Sequence, residues 1–194
     1  MKRSTSEEIV EAATAGLLKK GFSGCGISEI LSVAKVPKGS FYHHFPSKEA
    51  LVEKVLQVYA DEVRDQLALN LDQTSRHPFE AIQLALTNGR NGLVAADFFG
   101  GCLLGTLAQE LGSQETPMLG KLRAHFRSWE LLFEQALDRA KVAGDLSAQI
   151  DSRGLAGFIL NGWEGAVLRA KLEKSAAPLD DYLDHIQRYL NALR

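Results

Sequence analysis

The chain has 194 residues, 45% of them hydrophobic and 24% charged, the composition of a globular protein that can bury a core and is too apolar to stay disordered. The net charge is −2, no low-complexity or repeated segment is present, and no apolar run approaches the roughly 20 residues that span a bilayer. Cys25 and Cys102 are the only cysteines, which leaves no basis for a zinc cluster or a disulfide framework; each is expected to be a free thiol in a cytoplasmic protein, with no metal and no cofactor.

Apolar spacings of three and four recur along the chain without sustained strand alternation, which predicts an all-α fold of about nine helices. Residues 1–8 lead into an amphipathic first helix, as opposed to a signal peptide. Its inner face is Ile9, Ala12, Ala13, Leu17 and Leu18, and Gly21 ends it. Ile27, Ile30, Leu31 and Ala34 then mark one face of a very short second helix. Lys35-Val36 makes a turn, and Pro37 fixes the start of a short third helix with Phe41 and Phe45 inward. Two short helices joined by a tight turn form a helix-turn-helix. Exposed Lys38, Ser40, Tyr42 and His43 gather at its second helix, where free backbone N–H groups favour phosphate. His44 is expected to serve the head's own packing.

Ser47 caps a long fourth helix reaching about Leu71, with Leu51, Val55, Val58 and Val63 inward. His77-Pro78 opens a fifth helix to about Ala95, and Asp97-Phe98-Phe99-Gly100-Gly101 loops into a sixth from Cys102 to Leu111, ended by Gly112-Ser113-Gln114. Pro117 begins a seventh to about Ala143 with the stripe Leu122, Phe126, Trp129, Phe133 and Leu137. Asp151 or Ser152 starts an eighth, to about Leu172, with Leu155, Ile159, Trp163, Val167 and Ala170. Pro178 starts the last, with Leu179, Tyr182, Leu183, Ile186, Tyr189, Leu190 and Leu193.

The run Lys38-Gly39-Ser40-Phe41-Tyr42-His43-His44-Phe45-Pro46-Ser47-Lys48-Glu49, preceded by an amphipathic helix and the Gly21-Phe22 turn, resembles the signature of the TetR family of bacterial transcriptional repressors over roughly the first 60 residues. The resemblance implies a head at residues 1–48 and a ligand-binding and dimerisation domain at 49–194. It also implies a homodimer on a palindromic double-stranded operator, released by a small molecule. Family members usually place Ser or Thr where Cys25-Gly26 and Pro37 stand, so both short helices lack a side-chain cap.

Lys38, Gly39, Ser40, Tyr42 and His43 are expected to reach DNA, with Ser28 in support: Lys38 and Ser40 suit base edges in the major groove, Gly39 lets the backbone come close, and Tyr42 and Lys48 suit phosphates. Residues 1–50 hold seven Lys/Arg against five Asp/Glu, giving +2, while the rest hold fifteen against nineteen, giving −4. A head this weakly basic binds well only when two act together.

In the body, Gly100–Leu111 and Asn161–Ala166 resemble the electrophile-responsive, NemR-like subgroup of the same family. Cys102 is either a small buried hydrophobe or a sensing thiolate. Lys171 continues the inward stripe of Trp163 and Val167, and a cation beside a thiol lowers its pKa. Cys25 reads as a replacement for a helix cap. Phe98, Phe99, Phe126, Trp129, Phe133 and Trp163 either fill the core or line a pocket for an apolar or aromatic ligand, in which case Cys102 is only structural. The ninth helix is apolar on too broad a face to end a monomer comfortably: either it packs onto its own domain or, as the family resemblance implies, Leu155, Ile159, Leu179, Tyr182, Leu183, Ile186 and Leu190 pair across a two-fold axis. A cysteine-dependent enzyme is the remote rival, since His77, His125 and His185 are scattered and none is spaced to serve Cys102 as a base.

Overall fold

The computed structural model describes residues 4–73, 75–112 and 116–194; of the expected end of the sixth helix, Ser113 and Gln114 lie outside them. The described residues form nine α-helices and no strand: α1 Thr5–Gly24, α2 Ile27–Ala34, α3 Lys38–His44, α4 Lys48–Leu71, α5 Pro78–Ala95, α6 Leu103–Leu111, α7 Pro117–Ala143, α8 Ser152–Glu173 and α9 Ala177–Ala192. No described helix is long and apolar enough to cross a membrane. The helices fall into two compact units, Met1–Glu62 with Cys102–Leu122, and Val63–Gly101 with Arg123–Arg194. The first unit therefore joins α6 to the three helices of the head. This packing division is a different cut from a head ending at residue 48.

In the first unit, α1 starts with a reciprocal cap: the Glu7 amide donates to the Ser4 hydroxyl at 3.3 Å, and the Ser4 amide donates to the Glu7 carboxylate at 2.8 Å. Regular helix geometry breaks at Gly21, whose φ of 70° a side chain would resist. The inner face of α1 is Ile9, Val10, Ala12, Ala13 and Leu17, with Leu18 half-buried in place of fully inward. Gly26 and Pro37 cap α2 and α3 without any side-chain hydrogen bond, as their residue types require. Lys35 closes α2 in the left-handed conformation, φ 56°, with its amide and that of Val36 donating to Ser32 and Leu31 carbonyls. Phe41 is fully buried and Phe45 nearly so, while His44 is exposed, contrary to expectation. On a seven-residue helix the buried face has room for one large side chain, and Phe41 takes it.

The second unit is built around Leu71, Phe79, Ile82, Leu86, Phe133, Leu137, Leu155, Ile159, Leu183, Ile186 and Leu190. His77 caps α5, accepting the Phe79 amide on Nδ1 at 3.2 Å, and Pro78 occupies the first helical position, where no N–H is needed. α9 packs on both α5 and α8. Tyr182 donates to the Ile159 carbonyl at 2.5 Å, and a Cβ at Gly162 would lie 2.5 Å from its ring.

Most residues of the expected dimer surface are covered within the single chain. Leu155, Ile159, Leu179, Leu183, Ile186 and Leu190 are all buried in the single chain, at 0–8% exposure, and Tyr182 is spent on α8. Side chains this well covered have little exposed area left to lose on association.

Candidate functional site

The residues expected to meet DNA lie on α3 and at the start of α2, with Lys48 at the start of α4. Lys38, Gly39, Tyr42 and His43 are exposed, as is Ser28 one residue into α2, and Ser40 is half-buried. Buried Phe41 fixes the roll of α3, and the Tyr42 ring meets it edge to face at 5.1 Å while remaining 56% exposed. No protein atom lies within 4 Å of where a Cβ would stand on Gly39. The fold itself therefore does not require glycine there.

Lys48 is placed differently from the rest. It is half-buried, its ammonium donates to the Phe22 carbonyl, and it lies 4.4 Å from the centre of the Phe22 ring. Expected on phosphate, it is instead spent on the protein's own backbone. Across the same segment, Glu110 of α6 accepts the amides of Phe22 and Ser23, one on each carboxylate oxygen, at 2.6 and 2.7 Å. Burial raises the Glu110 carboxyl, but the Ser23 hydroxyl and amide, the Phe22 amide and nearby Lys48 outweigh it and hold the group below the ordinary carboxylate value.

The two thiols stand in unlike places. Cys25 is fully buried, with a Cβ at Gly16 only 2.5 Å from its sulfur. Burial, joined by Glu29, pushes that thiol's pKa up against Lys48 and Lys20, which makes it a packing group. Cys102 is half-buried and caps α6, its sulfur accepting the Gly105 amide at 3.4 Å. The Leu103 amide donates to the Tyr59 hydroxyl at 3.4 Å, and Thr106 donates to the Cys102 carbonyl at 2.9 Å. In the second unit Lys171 donates to the Gly100 carbonyl at 2.9 Å, two residues before Cys102 in sequence. It thereby holds a turn in which Asp97, Phe98, Gly100 and Gly101 all have positive φ, from 51° to 88°; two of them are not glycine, so the turn stores strain.

The six aromatic residues have different neighbours. Phe126 and Trp129 meet edge to face at 5.6 Å, and Phe133 belongs to the core of the second unit. Trp163 lies 6.3 Å from the Tyr182 ring and fills the space beside Gly89, whose Cβ would come within 2.7 Å. Phe98 and Phe99 sit in the strained turn, Phe99 48% exposed. Two open grooves of about 490 and 420 Å³, one between α5 and α9 and one between α8 and α9, contain none of the six.

A surface that the sequence reading missed runs down the other side of α8. Gly154, Phe158, Asn161, Gly165, Leu168 and Leu172 alternate by four and three, the spacing of a helix-pairing seam, and all are exposed. Phe158, Leu168 and Leu172 keep 56%, 53% and 79% exposure, and Gly165 has nothing within 4 Å of its Cβ position. Tyr189 of α9 extends the patch, its ring 5.6 Å from that of Phe158.

Comparison with known proteins fits this geometry. Residues 9–55 match the model for bacterial regulatory proteins of the tetR family, and residues 78–186 match the model for tetracyclin repressor-like C-terminal domains. The transcriptional regulator AcuR of Cereibacter sphaeroides is 36% identical over 180 residues, covering 91% of this chain and 80% of its own. The HTH-type transcriptional repressor DhaR of Mycobacterium sp. is 31% identical over 177 residues, 91% of this chain and 87% of that one. The HTH-type transcriptional repressor NemR of Escherichia coli is 28% identical over 189 residues, 97% and 95%. Its reduced form, solved by crystallography, superposes with a TM-score of 0.84 at 28% identity over 96% of both chains.

Proposed function

Because the chain belongs to the TetR family of bacterial regulatory proteins, and is a DNA-binding transcriptional repressor and not an enzyme, we propose that it works in the cytoplasm as a homodimer on a palindromic operator and that α6 is where its signal is received. The exposed Lys38, Gly39, Tyr42 and His43, with half-buried Ser40 among them, on a helix pinned by Phe41 carry this reading. Lys38 and Ser40 read base edges, Tyr42 and His43 hold phosphates, and Ser28 supports them from α2. Two heads about one DNA turn apart, ~34–36 Å or a multiple, supply the affinity that one weakly basic head lacks. The pairing surface is the α8 seam with Tyr189, in place of the buried stripe.

For the signal, we infer that Cys102 reacts with electrophiles. A sulfur that caps a helix accepts an N–H, and the helix N-terminus favours the anionic, nucleophilic form. Addition of that thiolate to an activated double bond forms one S–C bond and breaks the π bond with no leaving group, and the adjacent carbon takes a proton from water. The bulkier thioether is a poorer acceptor for the Gly105 amide, so the first turn of α6 loosens. Lys171 assists by holding the turn that feeds Cys102. The test is operator affinity of a Cys25→Ser chain before and after N-ethylmaleimide, on the duplex that the protein selects from a random library. Affinity should fall after treatment, and Cys102→Ser should be immune. If Cys102→Ser responds as the native chain does, the thiol is structural and the inducer is an apolar ligand bound reversibly.

A further inference from the structure

Glu110 is the one carboxylate that α6 sends to the head, and the segment it meets is unusual. Gly21 leaves helical geometry at φ 70° and ψ −172°, which turns the amides of Phe22 and Ser23 out of the α1 ladder to a single outside acceptor. A Cβ on Gly21 would stand 2.4 Å from the Glu110 carboxylate, so the close approach and the glycine require one another. Lys48, at the start of α4, holds the carbonyl of the same Phe22 and covers its ring. Residues 21–23 are thus gripped on the amide side by α6 and on the carbonyl side by α4. Three residues further on, Gly26 caps α2 without a side-chain hydrogen bond, and the first turn of α2 is tied back to α1 by the Lys20–Glu29 ion pair at 2.6 Å, so the placement of residues 21–23 is passed on to α2.

We propose that Glu110 is a positioning residue for DNA reading: its carboxylate, clamped with Lys48 onto residues 21–23, sets the entry of α2 and hence the pose of α3 in the major groove. The proposal rests on the regulator reading above and adds the means by which α6 reaches the head. α6 is nine residues long, about 13.5 Å at 1.5 Å per residue, with Cys102 capping one end and Glu110 one residue from the other. A displacement at the capped end is delivered to the segment that feeds the helix-turn-helix. An amide in place of the carboxylate defeats the clamp, because its NH2 would face a donor N–H.

The experiment compares the full chain with Glu110→Gln, and with Gly21→Ala, whose methyl displaces the carboxylate while leaving Glu110 in place. Hydrogen exchange at Phe22 and Ser23, read without DNA, reports the clamp. Fluorescence anisotropy on the selected duplex and on a scrambled duplex of equal length reports reading. In both variants the two amides should exchange faster, and operator affinity should fall by about tenfold or more, while affinity for the scrambled duplex changes less than threefold. A fold defect alone would lower both affinities together. Folded variants with unchanged operator affinity, or an equal loss on both duplexes, would overturn the proposal. Failure of the native chain to prefer any duplex would overturn the regulator reading instead, and the exchange rates would still decide whether the clamp exists.

Discussion

Replacing Ile186 with glutamate separates core from interface more sharply than any other change on α9. Ile186 is 2% exposed and lies in the cluster shared by α5, α8 and α9. Removing its buried surface costs about 1.5–3 kcal/mol, and an unpaired carboxylate in its place costs several more. The sum is on the order of half or more of the ~5–15 kcal/mol by which a domain of ordinary stability is folded. Leu168→Glu makes the contrast. Leu168 is 53% exposed, so its effect on the isolated fold should stay within about 0.5–1 kcal/mol, while a charge in the middle of a two-fold seam should weaken pairing by roughly 2 kcal/mol or more, about thirtyfold. Urea unfolding at several protein concentrations, with sedimentation velocity on the same samples, reads both quantities. Ile186→Glu should be unfolded or molten; Leu168→Glu should be a folded monomer. A folded, monomeric Ile186→Glu with a native-like midpoint would refute the reasoning and return the interface to the buried stripe.

At the head, Lys38→Ala should relax base preference at one position, by about 1–3 kcal/mol of discrimination, whereas Tyr42→Phe should weaken all duplexes alike; sequencing of bound pools from a random library distinguishes the two, and a uniform loss for Lys38→Ala would reassign it to phosphate. Because the Glu110 carboxyl titrates below its ordinary value in the folded chain, its stabilisation is complete above the unfolded pKa of about 4.3 and is lost as pH falls through the lower folded value. The urea midpoint of the native chain should therefore drop more steeply below about pH 4.5 than that of Glu110→Gln, and superimposable acid limbs would remove the charge from the account.

The head was legible in the sequence because its constraints are local. Phe41 and Phe45 three and four residues from exposed partners, Pro37 at a helix start and Gly21 at a helix end each act within one turn of the chain. What escaped was long-range. Glu110 and Phe22 are 88 positions apart, and nothing in a glutamate near the end of an amphipathic helix announces that it will leave solvent for two free amides; the only trace was Gly21, which read as a stop signal alone. Lys48 was assigned to phosphate because a cation at a helix start in a DNA-binding head ordinarily faces outward, and the Phe22 carbonyl that captures it belongs to another element. The dimer surface is hard to read from sequence for a different reason. α8 is apolar on two faces, Leu155-Ile159-Trp163-Val167 and Phe158-Leu168-Leu172, and helical spacing alone does not say which of them meets the core. Core takes precedence over interface, so the larger stripe went to α5 and α9 and the smaller, glycine-punctuated one was left outside. The aromatic residues illustrate the same limit, since Phe133 and Trp163 share a helical spacing with pocket walls but were claimed by the core and by Gly89.

The central claim is that two α3 helices of one dimer read two half-sites of one duplex. Selection of bound sequences from a random double-stranded library by the native chain, followed by sequencing, tests it most directly. The account predicts enrichment of a palindrome whose half-sites are centred about one helical turn apart, ~10–10.5 base pairs, or a multiple. Enrichment of a single unrepeated site, or of no sequence at all, would contradict it.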